Sequence, residues 1–159
     1  MKLKKLLAVC AAALMLASSI SACSGGSASQ SAGGDKVIKI GVFEPLTGEN
    51  GGGGLQEAMG IRYANTVYPT VNIGGEEYKI ELVEVDNKSD KTEAVSAAQK
   101  LVSEKVSAVI GSYGSGVSIA AGPTFESAKI PAIGATCTNP QVTLGNEYYF
   151  RVCFLDPFQ

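Results

Sequence analysis

Histidine and tryptophan are absent from the 159 residues, and positive charge is scarce. Without histidine, no Ser-His-Asp or Cys-His unit can be assembled inside this chain. The commonest transition-metal ligand is missing with it. The 13 Lys and Arg residues stand against 15 Asp and Glu, and Lys2, Lys4 and Lys5 sit at the extreme start. The remainder is acidic, which argues against nucleic acid, whose phosphates require a positive surface. A G-K-[ST] phosphate loop is also lacking, and Gly114-Ser115-Gly116 is not the spacing of a nucleophile elbow. Apolar residues make up 45% and charged residues 18%, so the chain is neither disordered overall nor a membrane bundle. These absences point to a binding protein rather than an enzyme, without metal or cofactor.

The front end carries an address. Lys2, Lys4 and Lys5 precede an apolar or small-residue run from Leu6 to Ile20. That run is shorter than the roughly 20 residues of a spanning helix and fits a signal peptide. Ile20-Ser21-Ala22-Cys23 resembles the lipobox of bacterial lipoproteins, which implies cleavage after Ala22 and diacylation of Cys23. Two acyl chains suffice for stable anchoring. Ser24 to Asp35 is built almost wholly of Ser, Gly and Ala and reads as a flexible tether. The expected order is therefore a leader over 1–22, an anchored tether over 23–35 and a folded domain over 36–159. It places the domain on the extracytoplasmic face of the cell membrane. Of the four cysteines, Cys10 leaves with the leader and Cys23 takes lipid, so Cys137 and Cys153 alone remain. They leave open one disulfide or two buried free thiols, and we read free thiols.

From Val37 onward, β-rich and helical segments alternate. Strands are expected over 37–43, 78–85, 106–110, 130–133 and 148–154. Helical spacing runs over 55–67, over a stretch after Asp90 that presents Ala94, Ala97, Ala98, Leu101 and Val102, and over 117–128 with Pro123 as an interruption. Asp90 and Glu93 resemble a capping box, and Asp156-Pro157 is a helix start signal. Alternation of this kind predicts an α/β fold with three layers, a parallel central sheet and helices on both faces.

In such sheets ligands bind beyond the carboxyl ends of the strands. Two loops there carry hydroxyls and glycines: Gly111-Ser112-Tyr113-Gly114-Ser115-Gly116 and Ala135-Thr136-Cys137-Thr138-Asn139-Pro140. Glycines admit a ligand to the backbone, and a helix start offers amides to an anion. A carboxylate held by neutral donors fits both loops, while caps and turns would use the same residues. The candidate ligand-contacting residues are Tyr113, Ser115, Gly116, Thr136, Cys137 and Thr138. Gly51 to Gly54 with Asp86 is a poor dinucleotide signature, because the separation far exceeds the expected value of roughly 20 residues. Cap and turn roles account for Asp86, Asp90 and Glu93 better than a metal does.

The segments IKIGVFEPLTG, LVEVDNKSDKTEAVSAAQKLVSEKVSAVIGSYGSG and IPAIGATCTNPQVT resemble substrate-binding lipoproteins of branched-chain amino-acid ABC transporters, the leucine/isoleucine/valine type. The resemblance implies the N-terminal lobe of a type I periplasmic-binding fold. It implies an amino-acid ligand, a permease partner in the membrane and a further lobe beyond Gln159. A lipid-anchored ligand-sensing receptor of the same fold is the alternative. On this resemblance Ser115 binds the ligand carboxylate through hydroxyl and amide. Thr138 serves carboxylate and ammonium, and Thr136 offers its carbonyl to the ammonium. The aromatic that relatives place over the ligand falls here at about Gly53, so that wall is either missing or filled by another group such as Tyr113.

Overall fold

The structure, a computed structural model, describes residues 36–158. The leader, Cys23 and the tether lie outside the described residues. Six strands form one sheet: β1 (Val37–Glu44), β2 (Thr70–Ile73), β3 (Glu76–Asp86), β4 (Ala108–Ile110), β5 (Ala132–Gly134) and β6 (Tyr149–Arg151). Their order is β2-β3-β1-β4-β5-β6. All pairings are parallel except β2 with β3. The expected parallel central sheet is present, and β2 adds to it an antiparallel edge strand that the sequence reading did not include. Gly74 and Gly75, both at positive φ, turn the chain back so that Thr70–Ile73 adds an antiparallel edge. Thr70 to Ile73 is exposed throughout, and its T-V-N-I alternation is only four residues long, at the lower limit for reading a strand.

Among the described residues, three α-helices complete the layers: α1 (Gly51–Val67), α2 (Lys91–Ser103) and α3 (Ser115–Ala128). The pleat of β1 sends Phe43 to one face and Val42 and Glu44 to the other. On the Phe43 side, α2 and α3 bury Ala94, Ala98, Leu101, Ala121 and Phe125 against Val85, Val109 and Ala132. The alanines let the two helices approach closely, and Gly41 lets Leu101 lie against β1. Phe43 and Phe125 meet edge to face with centroids 5.5 Å apart. The opposite face is covered by α1. A groove of about 440 Å³ remains there, lined by Ile40, Ile61, Ala64, Tyr68, Ile80 and Leu82 among others.

Several boundaries differ from the sequence reading. Pro123 lies inside a continuous α3, because the neighbouring turns carry the helix past its missing N–H. Helix α1 starts at Gly51 rather than Leu55. A Cβ at Gly54 would run into the Pro45 carbonyl, so the glycines serve close packing of the helix start on the loop after β1. Asp90 does cap α2, accepting from the Thr92 and Glu93 amides at 2.8 and 2.9 Å. The box is only half made, since the Glu93 carboxylate pairs with Lys88 at 3.4 Å. Strand β6 is confined to 149–151 within the expected 148–154, and Asp156–Phe158 forms a 3-10 turn.

Candidate functional site

Three loops converge at the carboxyl edge of the central strands. β1 leads through Glu44-Pro45 to α1, β4 leads through 111–114 to α3, and β5 leads through 135–139 to a 3-10 turn at Pro140–Val142. The parallel order β1-β4-β5 sets these loops side by side, which is why residues distant in sequence share one site.

Ser115 is the first residue of α3 and is half-buried. The Asn139 amide donates to its Oγ at 3.1 Å. This bond joins the β4 and β5 loops and brings Ser115 near Thr138. It also leaves the Ser115 hydroxyl proton free to donate, because the oxygen acts here as acceptor. Gly114 caps α3 without a side chain, so the first-turn amides receive no side-chain acceptor. α2 differs, since Asp90 occupies its amides. The open start of α3 with a hydroxyl beside it suits an anion. Gly116 follows in the same turn and is exposed.

Tyr113 is 38% exposed. A Cβ at Gly53 would stand 2.5 Å from its ring, so the ring lies directly over that glycine. The aromatic wall at the start of α1 therefore comes from the β4 loop. Thr136 is exposed and donates its hydroxyl to Glu57 Oε1 on α1. Cys137 is fully buried against Gly134. Its carbonyl accepts from Arg151 Nη1 at 3.0 Å, and its side chain packs inward against Gly134. Burial pushes its thiol up to about 11, and nearby Cys153 adds to the effect. Both cysteines are unbonded, Cys153 being half-buried.

Ser112 also carries a hydroxyl in this loop, but the structure gives it a different task. It is fully buried, and Asn87 Nδ2 donates to it at 2.8 Å. Asp86 holds the loop after β1 by accepting from the Leu46 and Thr47 amides and the Thr47 hydroxyl. Burial works against its charge, yet these bonds and one from the Lys88 amide outweigh it and keep its carboxyl below the usual value.

Sequence reasoning missed two carboxyls behind these loops. Glu44 is 0% exposed, and its Oε2 accepts from the Tyr113 amide at 2.7 Å. Glu57 faces it from α1. Glu44 ends an apolar strand, where the pattern alone gives no sign that a carboxyl is enclosed. The large apolar groove under α1 is a separate feature, meeting this cluster at Glu57 and Ala135.

The profile of a family described as periplasmic binding protein matches residues 37–157. The chain is 38% identical over 125 residues to an amino acid binding protein of Pseudomonas aeruginosa, covering 77% of this chain and 33% of that protein. It is 36% identical over 131 residues to Leu/Ile/Val-binding protein homolog 1 of Brucella abortus, covering 81% and 34%. Among solved structures it resembles the leucine-binding protein LivK of Thermotoga maritima, with TM-score 0.72, 43% identity and coverage of 77% and 34%. It also resembles LivJ of Streptococcus pneumoniae in complex with isoleucine, with TM-score 0.68, 34% identity and coverage of 76% and 35%. The chain thus spans about a third of the length of these relatives.

Proposed function

Because the chain belongs to the periplasmic binding protein family, we propose that it is the N-terminal lobe of an extracytoplasmic solute-binding component of an ABC transporter. Its solute is an amino acid of the branched-chain class, captured for import and passed to a membrane permease. No catalytic role is assigned. The observation that carries this reading is the Ser115 hydroxyl, fixed by the Asn139 amide and set at an uncapped helix start. That arrangement offers neutral donors to a carboxylate without a buried cation to neutralise it. Thr138 and the Thr136 carbonyl stand on the adjoining loop, and Tyr113 provides an aromatic wall. A relative 26% identical, from Rhodopseudomonas palustris, holds 3,4-dihydroxybenzoic acid. The carboxylate is what that acid shares with isoleucine, so the donor set alone does not separate the two classes.

Substitution Ser115→Ala is expected to weaken amino-acid binding by the full-length protein about tenfold or more. This is the effect of losing one hydrogen bond to a charged group, about 1.5–3 kcal/mol. Calorimetric titration with L-isoleucine, L-leucine and 3,4-dihydroxybenzoate checks it. Unchanged affinity would return Ser115 to a purely structural tie between loops. Preference for the benzoate would move the solute class.

The leader over 1–22, lipidation of Cys23 and the tether over 23–35 belong to the same proposal. The lipobox Ile20-Ser21-Ala22-Cys23 supports them. In Cys23→Ser, labelled fatty acid should no longer be incorporated and the protein should leave the membrane fraction. Labelling that persists in the variant would remove the anchor from the proposal.

A further inference from the structure

Two buried carboxylate oxygens stand without hydrogen-bond partners behind the ligand loops, Glu44 Oε1 and Glu57 Oε2. Each belongs to a side chain whose other oxygen is engaged. Glu44 Oε2 accepts from the Tyr113 amide at 2.7 Å, and Glu57 Oε1 accepts from the Thr136 hydroxyl. Two ionised carboxylates would leave both remaining oxygens as unpaired acceptors in buried surroundings, with the Glu57 charge acting on Glu44. A single proton removes the conflict, because a protonated carboxyl donates and its neighbour accepts. We propose that Glu44 and Glu57 share one proton, and that this shared proton positions the Tyr113 and Thr136 loops for ligand.

The surroundings fit. Among the described residues neither carboxyl hydrogen-bonds or ion-pairs with a lysine or arginine. The titratable group acting on Glu44 is Glu57, and the Glu44 charge in turn raises the Tyr149 phenol on β6. That phenol donates to the Gly111 carbonyl at 2.9 Å. Burial raises the Glu44 carboxyl most, against the lowering pull of the Tyr113 amide. The charge and hydrogen bond of Glu57 add to the rise, which reaches about 9. Glu44 and Glu57 are positioning residues, each acting through a loop residue rather than on a solute. The loop-positioning half of the inference rests on the solute-binding reading; the shared proton does not.

The folded protein keeps this proton up to about pH 9, whereas an unfolded chain releases it near the ordinary value of 4.5. The folded state therefore binds more protons across that interval. Its stability is greatest below pH 4.5 as far as this group is concerned, and declines as pH rises toward 9. The unfolding constant grows by up to about tenfold per pH unit. The test uses the full-length protein, wild type, Glu44→Gln and Glu44→Leu. Glutamine donates to Glu57 and accepts from Tyr113 without titrating, so it should flatten the stability profile and restore what leucine loses.

Infrared spectra at pH 7.5 should show a protonated-carboxyl band in the wild type that is missing in Glu44→Gln. Affinity for L-isoleucine should fall about tenfold more in the wild type than in Glu44→Gln as pH passes 9, ionisation of the solute being common to both. Absence of the band, or a Glu44→Gln stability profile matching the wild type, overturns the shared proton whatever Glu44→Leu does. Expected band and stability profile with no L-isoleucine binding at any pH supports the shared proton and overturns the solute reading.

Discussion

Gly111→Ala is expected to cost about 3–5 kcal/mol of stability, combining strain at a special backbone position with overpacking. Gly111 has φ of 125°, a region closed to a residue with a Cβ. An alanine Cβ there would collide with the Phe43 carbonyl and stand 2.7 Å from Glu44 Oε1. Neither obstacle can rotate away, since one is backbone of the central strand and the other is a buried carboxyl. Relief requires the β4 loop to lift, which breaks the Tyr113 amide bond to Glu44 and displaces Ser115 with it. Solute affinity should therefore fall together with the urea midpoint of unfolding. A variant with a wild-type midpoint would show that the loop tolerates a shift not evident from its packing.

Phe125→Ala is expected to lower stability by about 3–5 kcal/mol while leaving the ligand loops in place. Phe125 is fully buried, stands edge to face with Phe43, and fills the space between α3 and the sheet. The alanines around it on α2 and α3 are too short to reach into the vacated volume. Folded protein at low temperature should retain solute affinity within a few-fold, since Ser115 lies at the other end of α3. The urea midpoint measures the first claim and calorimetry the second. A loss under 1 kcal/mol would mean that the helices close over the gap.

The elements that carry apolar periodicity were legible in the sequence. Val37 to Phe43, the alanine face after Asp90, and the α/β alternation all appear where expected, as does the clustering of 111–116 with 135–140. Legibility stopped where the determinant was tertiary. Strand β2 has no buried residue, and its pairing is set by the glycine turn and by β3. Four glycines at the start of α1 read as loop, yet the Tyr113 ring and the Pro45 carbonyl require small residues at Gly53 and Gly54. The hydroxyls of Ser112, Ser115 and Thr136 look alike in sequence. Only the fold distinguishes one bonded to Asn87, one held by Asn139 and one given to Glu57. Glu44 is the sharpest case, because its burial follows from the crossing of β1, β4 and α1.

The strand order carries a consequence for how the domain is made. β1 is synthesised first but lies in the middle of the sheet, paired on one side with β3 and on the other with β4. As the chain emerges from its amino end, the VIKIGVF segment has no strand to pair with until Asp86 is out, and no second neighbour until Ile110. Its apolar edge groups stay available for wrong partners throughout that interval. Closing both pairings brings together residues far apart in sequence, which slows folding relative to local contacts. A central strand is thus the one most exposed during birth, and β1 is where a holding chaperone should act.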